Sequence, residues 1–147
     1  METIYFEGLE YKEVKSETGR IWLDRNLGAK RVATSNNDAQ AYGNYYTFDD
    51  IKCPKGYRLP TKEEWQAEIK SWESKNSEGA FNSPLKLPVS GFRNFSSGDH
   101  FNVGSFGFYW SSLVSGSFAR FLYFFGSYAG LGSHYRSCGY VLRLIKE

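Results

Sequence analysis

Tyr109–Arg143 reads YWSSLVSGSFARFLYFFGSYAGLGSHYRSCGYVLR, and its composition sets it apart from everything before it. Between Ser111 and Leu142 there is no Lys, Glu, Gln, Met, Trp, Asp or Asn, although the first two-thirds of the chain use all of these but Met freely. Ser, Gly, Tyr, Phe, Leu, Ala, Arg, Val, His and Cys fill it instead, and each of these has a codon ending in a pyrimidine. Lys, Glu, Gln, Met and Trp have none. A segment whose Asn codons had been overwritten at their first two bases would look like this; so would an ordinary loop region rich in Ser, Gly and Tyr. Within it, Phe121–Phe125 alternates as a strand, with Leu122 and Phe124 on one face and Phe121, Tyr123 and Phe125 on the other. Phe108–Ser111 reads as a strand before it, Gly116 as a turn and Gly126–Arg136 as a loop. Tyr140–Ile145 reads as a closing strand with Leu142 and Leu144 inward. Arg120 shares the parity of Leu122, which suits a buried face poorly unless a bulge intervenes or the strand begins at Phe121.

Working outward, Leu9–Lys15 and Arg20–Leu23 flank Glu17-Thr18-Gly19 and predict a hairpin. Ser35-Asn36-Asn37-Asp38 supplies capping residues for a short helix from about Asn37 to Tyr46. Thr61 begins the clearest helix: Glu64 three residues later makes a capping box, and Trp65, Ile69 and Trp72 recur on one face that packs into a core. Glu73–Ser83 reads as a surface loop. Leu85–Phe92 alternates but contains a proline, which suits a short or edge strand. Phe95–Gly107 reads as a long loop. Hairpin, two helices, then short strands between long loops, with strands at both termini, describe an α+β domain.

The chain's 147 residues suit one domain with one real core. A formal charge of +2, with Lys and Arg scattered along the chain, argues against a nucleic-acid partner. Aromatic residues make up 18%, more than a core of this size needs, so some rings should be exposed and suggest a recognition surface. No apolar run approaches the roughly 20 residues that span a bilayer, so membrane insertion is not expected, and the start of the chain lacks a secretory core. Cys53 and Cys138 have no metal or redox spacing and are expected as free thiols.

The blocks GRIWLDRNLGA (Gly19–Ala29), AYGNYY (Ala41–Tyr46), CPKGYRLPTKEEW (Cys53–Trp65), LKLPVSGFRN (Leu85–Asn94), GFYWSS (Gly107–Ser112) and the closing Gly139-x-x-Leu142-Arg143 resemble, in wording and order, the Fibrobacter-type major paralogous domain. That group resembles a branch of the C-type lectin fold, in the subclass of formylglycine-generating enzyme, and includes variable proteins of diversity-generating retroelements. The resemblance implies a C-type lectin fold with two helices, small antiparallel sheets and long ordered loops. It also implies a variable segment at about 111–142, rewritten by adenine-directed mutagenesis, that presents side chains to a varied protein or cell-surface glycan. The expected contact set is Ser115, Phe118, Arg120, Phe121 and Tyr123, with Phe125, Tyr128, Leu131, His134 and Tyr135. Arg120, Tyr128, His134 and Tyr135 are expected to join the strand from flanking loops. Tyr and Phe spaced by Ser and Gly give contact area at low entropic cost, as in antibody loops. Trp110 and Arg143 match scaffold positions.

An enzyme is not expected. Formylglycine-generating enzymes resemble this chain in fold but rely on reactive cysteines, whereas Cys138 has no base beside it in sequence. The fold's iron oxygenases resemble three-histidine sites, and this chain has only His100 and His134. The calcium triplets of sugar-binding relatives are missing; Asp49-Asp50 and Asn36–Asp38 read as turns and a cap, so no metal or cofactor is expected. The rival reading is an adhesion or surface-structure domain that is not diversified. A place on a virion or cell surface is expected if the chain belongs to a larger exported protein.

Overall fold

The computed structural model describes residues 2–147. Thr3–Phe6 (β1) pairs antiparallel with Leu9–Lys15 (β2) through Glu7-Gly8, where both backbones have positive φ and supply the tight reversal. β2 then pairs with Ile21–Leu23 (β3), with Val14 opposite Trp22, as the hairpin expectation requires. Tyr57–Arg58 (β4) and Ile145–Lys146 (β10) complete this sheet, whose order is β1-β2-β3-β10-β4. The two ends of the described chain therefore meet in one sheet.

Lys62–Ser71 (α1) begins at the expected capping box: the Glu64 amide donates to Thr61 Oγ1 at 3.1 Å, and the Thr61 amide donates to Glu64 Oε1 at 2.8 Å. Glu64 also accepts a fork from Arg58 and a bond from Arg20. The Arg58 hydrogen bonds lead in holding its carboxyl down at about 2. Trp65 and Trp72 are buried and Ile69 is partly buried, so the helix packs on the face its spacing indicates.

Two expectations fail here. Asn37–Tyr46 is not a helix: only Ala39–Ala41 forms a 3-10 turn, capped by Asp38. Gly43 ends it at φ +75°, where an added Cβ would meet the Leu27 carbonyl oxygen at 2.4 Å, and Tyr46 is drawn into a bridge with Tyr140. Glu73–Ser83 is not simply a loop, because Ser77–Asn82 (α2) is a helix capped by Asn76. The observed pair of helices is thus α1 and α2.

Leu85, Leu87 and Val89 are buried, yet Leu85–Phe92 forms no long strand; only Phe92–Arg93 (β5) joins a ladder, with His100–Phe101 (β6). The expected loop Phe95–Gly107 thus contains β6. Gly107–Ser115 (β7), Phe118–Phe125 (β8) and Tyr128–Tyr135 (β9) form a continuous three-stranded antiparallel sheet. β9 occupies most of the stretch Gly126–Arg136 expected as loop. Tyr140–Ile145 is extended and buried, but only Ile145 enters the paired strand β10; Tyr140 and Val141 make isolated bridges.

Strand alternation divides the core into two clusters on opposite faces of β7 and β8. Tyr109, Leu122 and Phe124 join Trp22, Trp65 and Trp72 on the α1 side. Phe108, Trp110 and Phe121 join Tyr11, Leu23, Leu142 and Leu144 on the other. A fully buried apolar side chain contributes about 1.5–3 kcal/mol, so these positions anchor the sheet. Beside Leu85 of the α1-side cluster lies the buried Arg143, which donates Nε to Asn26 Oδ1 at 3.1 Å and bonds the Leu85 carbonyl. Asn26 in turn reaches the Tyr109 hydroxyl at 3.0 Å. Desolvation lowers the Arg143 pKa to about 10, which still leaves it charged at neutral pH. The structure is therefore a mixed α+β architecture of two helices and antiparallel sheets.

Candidate ligand-binding surface

From Ser111 to Tyr135 the segment is built into β7–β9, joined by two-residue turns, so most of its side chains sit on paired backbone. β8 and β9 are in continuous register from Phe125 opposite Tyr128 to Phe118 opposite Tyr135. Tyr128, His134 and Tyr135 therefore project from a strand and not from flanking loops. Arg120 lies inside β8 opposite Ser133, with no bulge in its own strand. The irregularity falls on β7, between Trp110 and Val114. Arg120 keeps the parity of Leu122 and is half-buried, and its Nε is buried without a hydrogen-bond partner.

The expected contact residues divide by exposure. Phe118 (41%), Tyr128 (50%) and Tyr135 (41%) are exposed rings. Ser115 and His134 are also exposed, and Tyr123 and Phe125 are half-buried. Phe121 is not displayed. At 8% exposure it belongs to the core, its ring 4.9 Å from Tyr140 and 5.8 Å from Phe108. Its opposite partner in β9 is Gly132, where an added Cβ would meet the Phe121 ring at 2.7 Å; the ring covers the strand where the glycine has no side chain. Leu131 packs partly against the α1-side cluster, on the face of Leu122.

What remains on the face away from α1 is a run of touching rings. Phe106 stacks on Phe125 at 4.7 Å, Phe125 lies 6.4 Å from Tyr128, and Tyr128 lies 5.8 Å from Tyr123. A second group lies at the other end of β8 and β9, where Phe118 and Tyr135 share the parity of Leu122: Phe118 meets Tyr135 at 5.0 Å and Tyr135 meets Phe95 at 4.9 Å, with His134, from the opposite parity, beside Tyr135 at 5.3 Å. Phe95, Phe101 and Val103 are exposed, and all three lie in the stretch containing β6 that the sequence reading did not include in the contact set. Their aromatic and apolar side chains in a Ser/Gly/Asn loop were the signal available. Of the two arginines in Ser111–Leu142, Arg136 is tied to Asp49, so the exposed rings carry little local charge.

Cys138 is not isolated. Its buried Sγ lies 3.2 Å from His134 Nδ1, a base four residues away that β9 brings back over the thiol. Burial raises the thiol pKa, and a bond from the Phe95 backbone only partly opposes it. This environment favours a neutral thiol hydrogen-bonded to imidazole over a thiolate nucleophile. Cys53 is also a free thiol, half-buried and raised by desolvation. Among the described residues there is no group of three or more His, Cys, Asp or Glu placed to hold a metal ion, and no helix long and apolar enough to cross a membrane.

No family model, curated protein or solved structure matches this chain. The arrangement is suited to binding by contact. A paired sheet holds aromatic side chains in fixed positions, and Tyr or Phe with few rotatable bonds loses little freedom when covered.

Proposed function

We propose that this protein is a ligand-binding display module of C-type lectin fold, of the kind diversified by a retroelement, with β7–β9 carrying the variable face. The observation that carries this reading is the set of exposed rings Phe118, Tyr128 and Tyr135 on a rigid sheet, within a segment free of Lys, Glu, Asp and Asn. Its ligand is macromolecular, a protein or a cell-surface glycan, because the surface is broad and aromatic. No catalytic step is assigned to Cys138 and His134, whose geometry favours a neutral, buried thiol.

Burial bears on where such variation would be tolerable. Ala119, Phe121, Leu122, Phe124 and Ala129 are buried inside the same segment, so free substitution there would cost core packing. Sequencing the surrounding DNA tests the reading. A near-copy of the DNA for residues 111–142 beside a reverse-transcriptase gene is expected, differing at adenines. Those differences should fall on the codons of Ser115, Phe118, Tyr123, Phe125, Tyr128, His134 and Tyr135 and spare those of Leu122, Phe124 and Ala129. If no such copy exists, the protein is a fixed lectin-like adhesion or surface domain.

A further inference from the structure

We propose that the outer edge of β9 docks a second copy of this chain, joining two three-stranded sheets into one of six strands. The other sheet edges are closed or short. β7 is covered by bonds from Trp110 to Val141, from Val141 to Phe108 and from Ser112 to Pro60. β1 has four residues flanked by Glu2 and Glu7, and β4 has two. β9 has eight residues, and among the described residues none of its amides bonds any backbone other than that of β8. It also lacks the usual protections of an edge, since Tyr128–Tyr135 contains no Lys, no Pro and no bulge.

The register follows from geometry. The two-residue loop Gly126-Ser127 closes on the pair Phe125–Tyr128, so Tyr128, Gly130, Gly132 and His134 turn their amides to β8. Ala129, Leu131 and Ser133 turn theirs outward. Antiparallel pairing of two identical strands places a two-fold axis perpendicular to the sheet and keeps each face continuous. Centred on Leu131, it sets Ala129 opposite Ser133 and Gly130 opposite Gly132 of the second copy. On the aromatic face it sets Tyr128 opposite the second copy's His134, twice by symmetry. No Asp, Glu, Lys or Arg lies in the strand, so no like charges face each other across the axis. The strand meets itself with small residues opposite small ones, a ring opposite a ring and no like charges, which is why the occupant is a second copy. Both aromatic faces then point to the same side, and each gains a histidine from its neighbour. The inference rests on the edge alone and holds for a diversified or a fixed surface.

Sedimentation analysis of the full chain is the test, with hydrogen exchange read at the outward amides. An edge pair alone buries less than a standard interface, so a dissociation constant on the order of 10 μM is expected. Ser133→Lys, at an exposed position, should weaken the dimer roughly five- to tenfold. Leu131→Lys and Leu131→Glu should each be monomeric, and mixing them should restore a dimer, which mere misfolding could not do. Amides of Ala129, Leu131 and Ser133 should gain protection as concentration rises. A chain that stays monomeric at about 100 μM, well above that constant, would overturn the proposal. So would a dimer that Ser133→Lys and the Leu131 variants leave intact.

Discussion

Phe121 and Tyr128 sit on the same face of the same sheet, and replacing each by alanine should separate the frame of this protein from its surface. Phe121 is 8% exposed, wedged against Phe108, Tyr140 and Trp110 and lying over Gly132. Losing a buried phenyl ring costs about 3–5 kcal/mol, transfer and cavity terms together. Tyr128 is half exposed, and its ring lies over Gly130 beside Tyr123 and Phe125, themselves half-buried. Its removal should cost about 1 kcal/mol or less, from two edge contacts and the cover it gives Gly130. Urea denaturation of both variants, compared at equal m-values, should therefore show a gap of at least about 2 kcal/mol, some thirtyfold in the unfolding equilibrium. If Phe121→Ala proves no more destabilising than Tyr128→Ala, the division of this sheet face into an anchored ring on β8 and an exposed ring on β9 is wrong.

Glu68 and Cys138 give two further tests. Glu68 is buried on α1, with Oε2 accepting from Ser16 and Thr18 and Oε1 without a partner; burial raises its pKa above the ordinary value. A raised folded-state pKa means that its stabilising contribution is present below the unfolded value and lost as pH rises through the folded one. The wild type should therefore lose ground to Glu68→Gln as pH climbs above about 4.5, by up to about 1.4 kcal/mol per pH unit. Denaturation midpoints of the two proteins from pH 4 to 8 measure this, and a pH-independent difference would refute it. Cys138 should react with iodoacetamide at pH 7 on the order of 100-fold more slowly than a free thiol. A fast reaction with an apparent pKa below 8 would instead reveal a thiolate–imidazolium pair and reopen the question of catalysis.

Signals that lie close together in the sequence were the legible ones. Thr61 and Glu64 mark α1 because a capping box spans only four residues, and Leu9–Leu23 shows its hairpin by two alternating runs around one glycine. β8 was readable from Leu122 and Phe124, but which of its outward residues meets solvent depends on neighbours far along the chain. Phe121 is covered because Tyr140 returns beneath it, and no local pattern records that. β9 was hidden by composition: glycine and serine have low strand propensity, and the rings of Phe121 and Tyr128 supply the side-chain cover that Gly132 and Gly130 lack. α2 was hidden in the same way, since Ser77, Gly79 and Ala80 are chosen for close approach, Gly79 lying where a Cβ would strike the Ser74 carbonyl. The pairing of His134 with Cys138 follows from β9, so missing the strand meant missing the base.

The run from Cys138 to Ile145 lies at the junction of both core clusters, and Arg143 bonds Asn26 and Leu85 there. A nascent chain consequently cannot complete either cluster until Ile145 has left the ribosomal exit tunnel. Everything from Ser111 to Ser137 must first be translated in frame. An insertion or deletion of a nucleotide anywhere in that stretch would erase the closing residues and leave an unfolded product for proteases, so folding itself checks the reading frame of the segment that precedes the last strand.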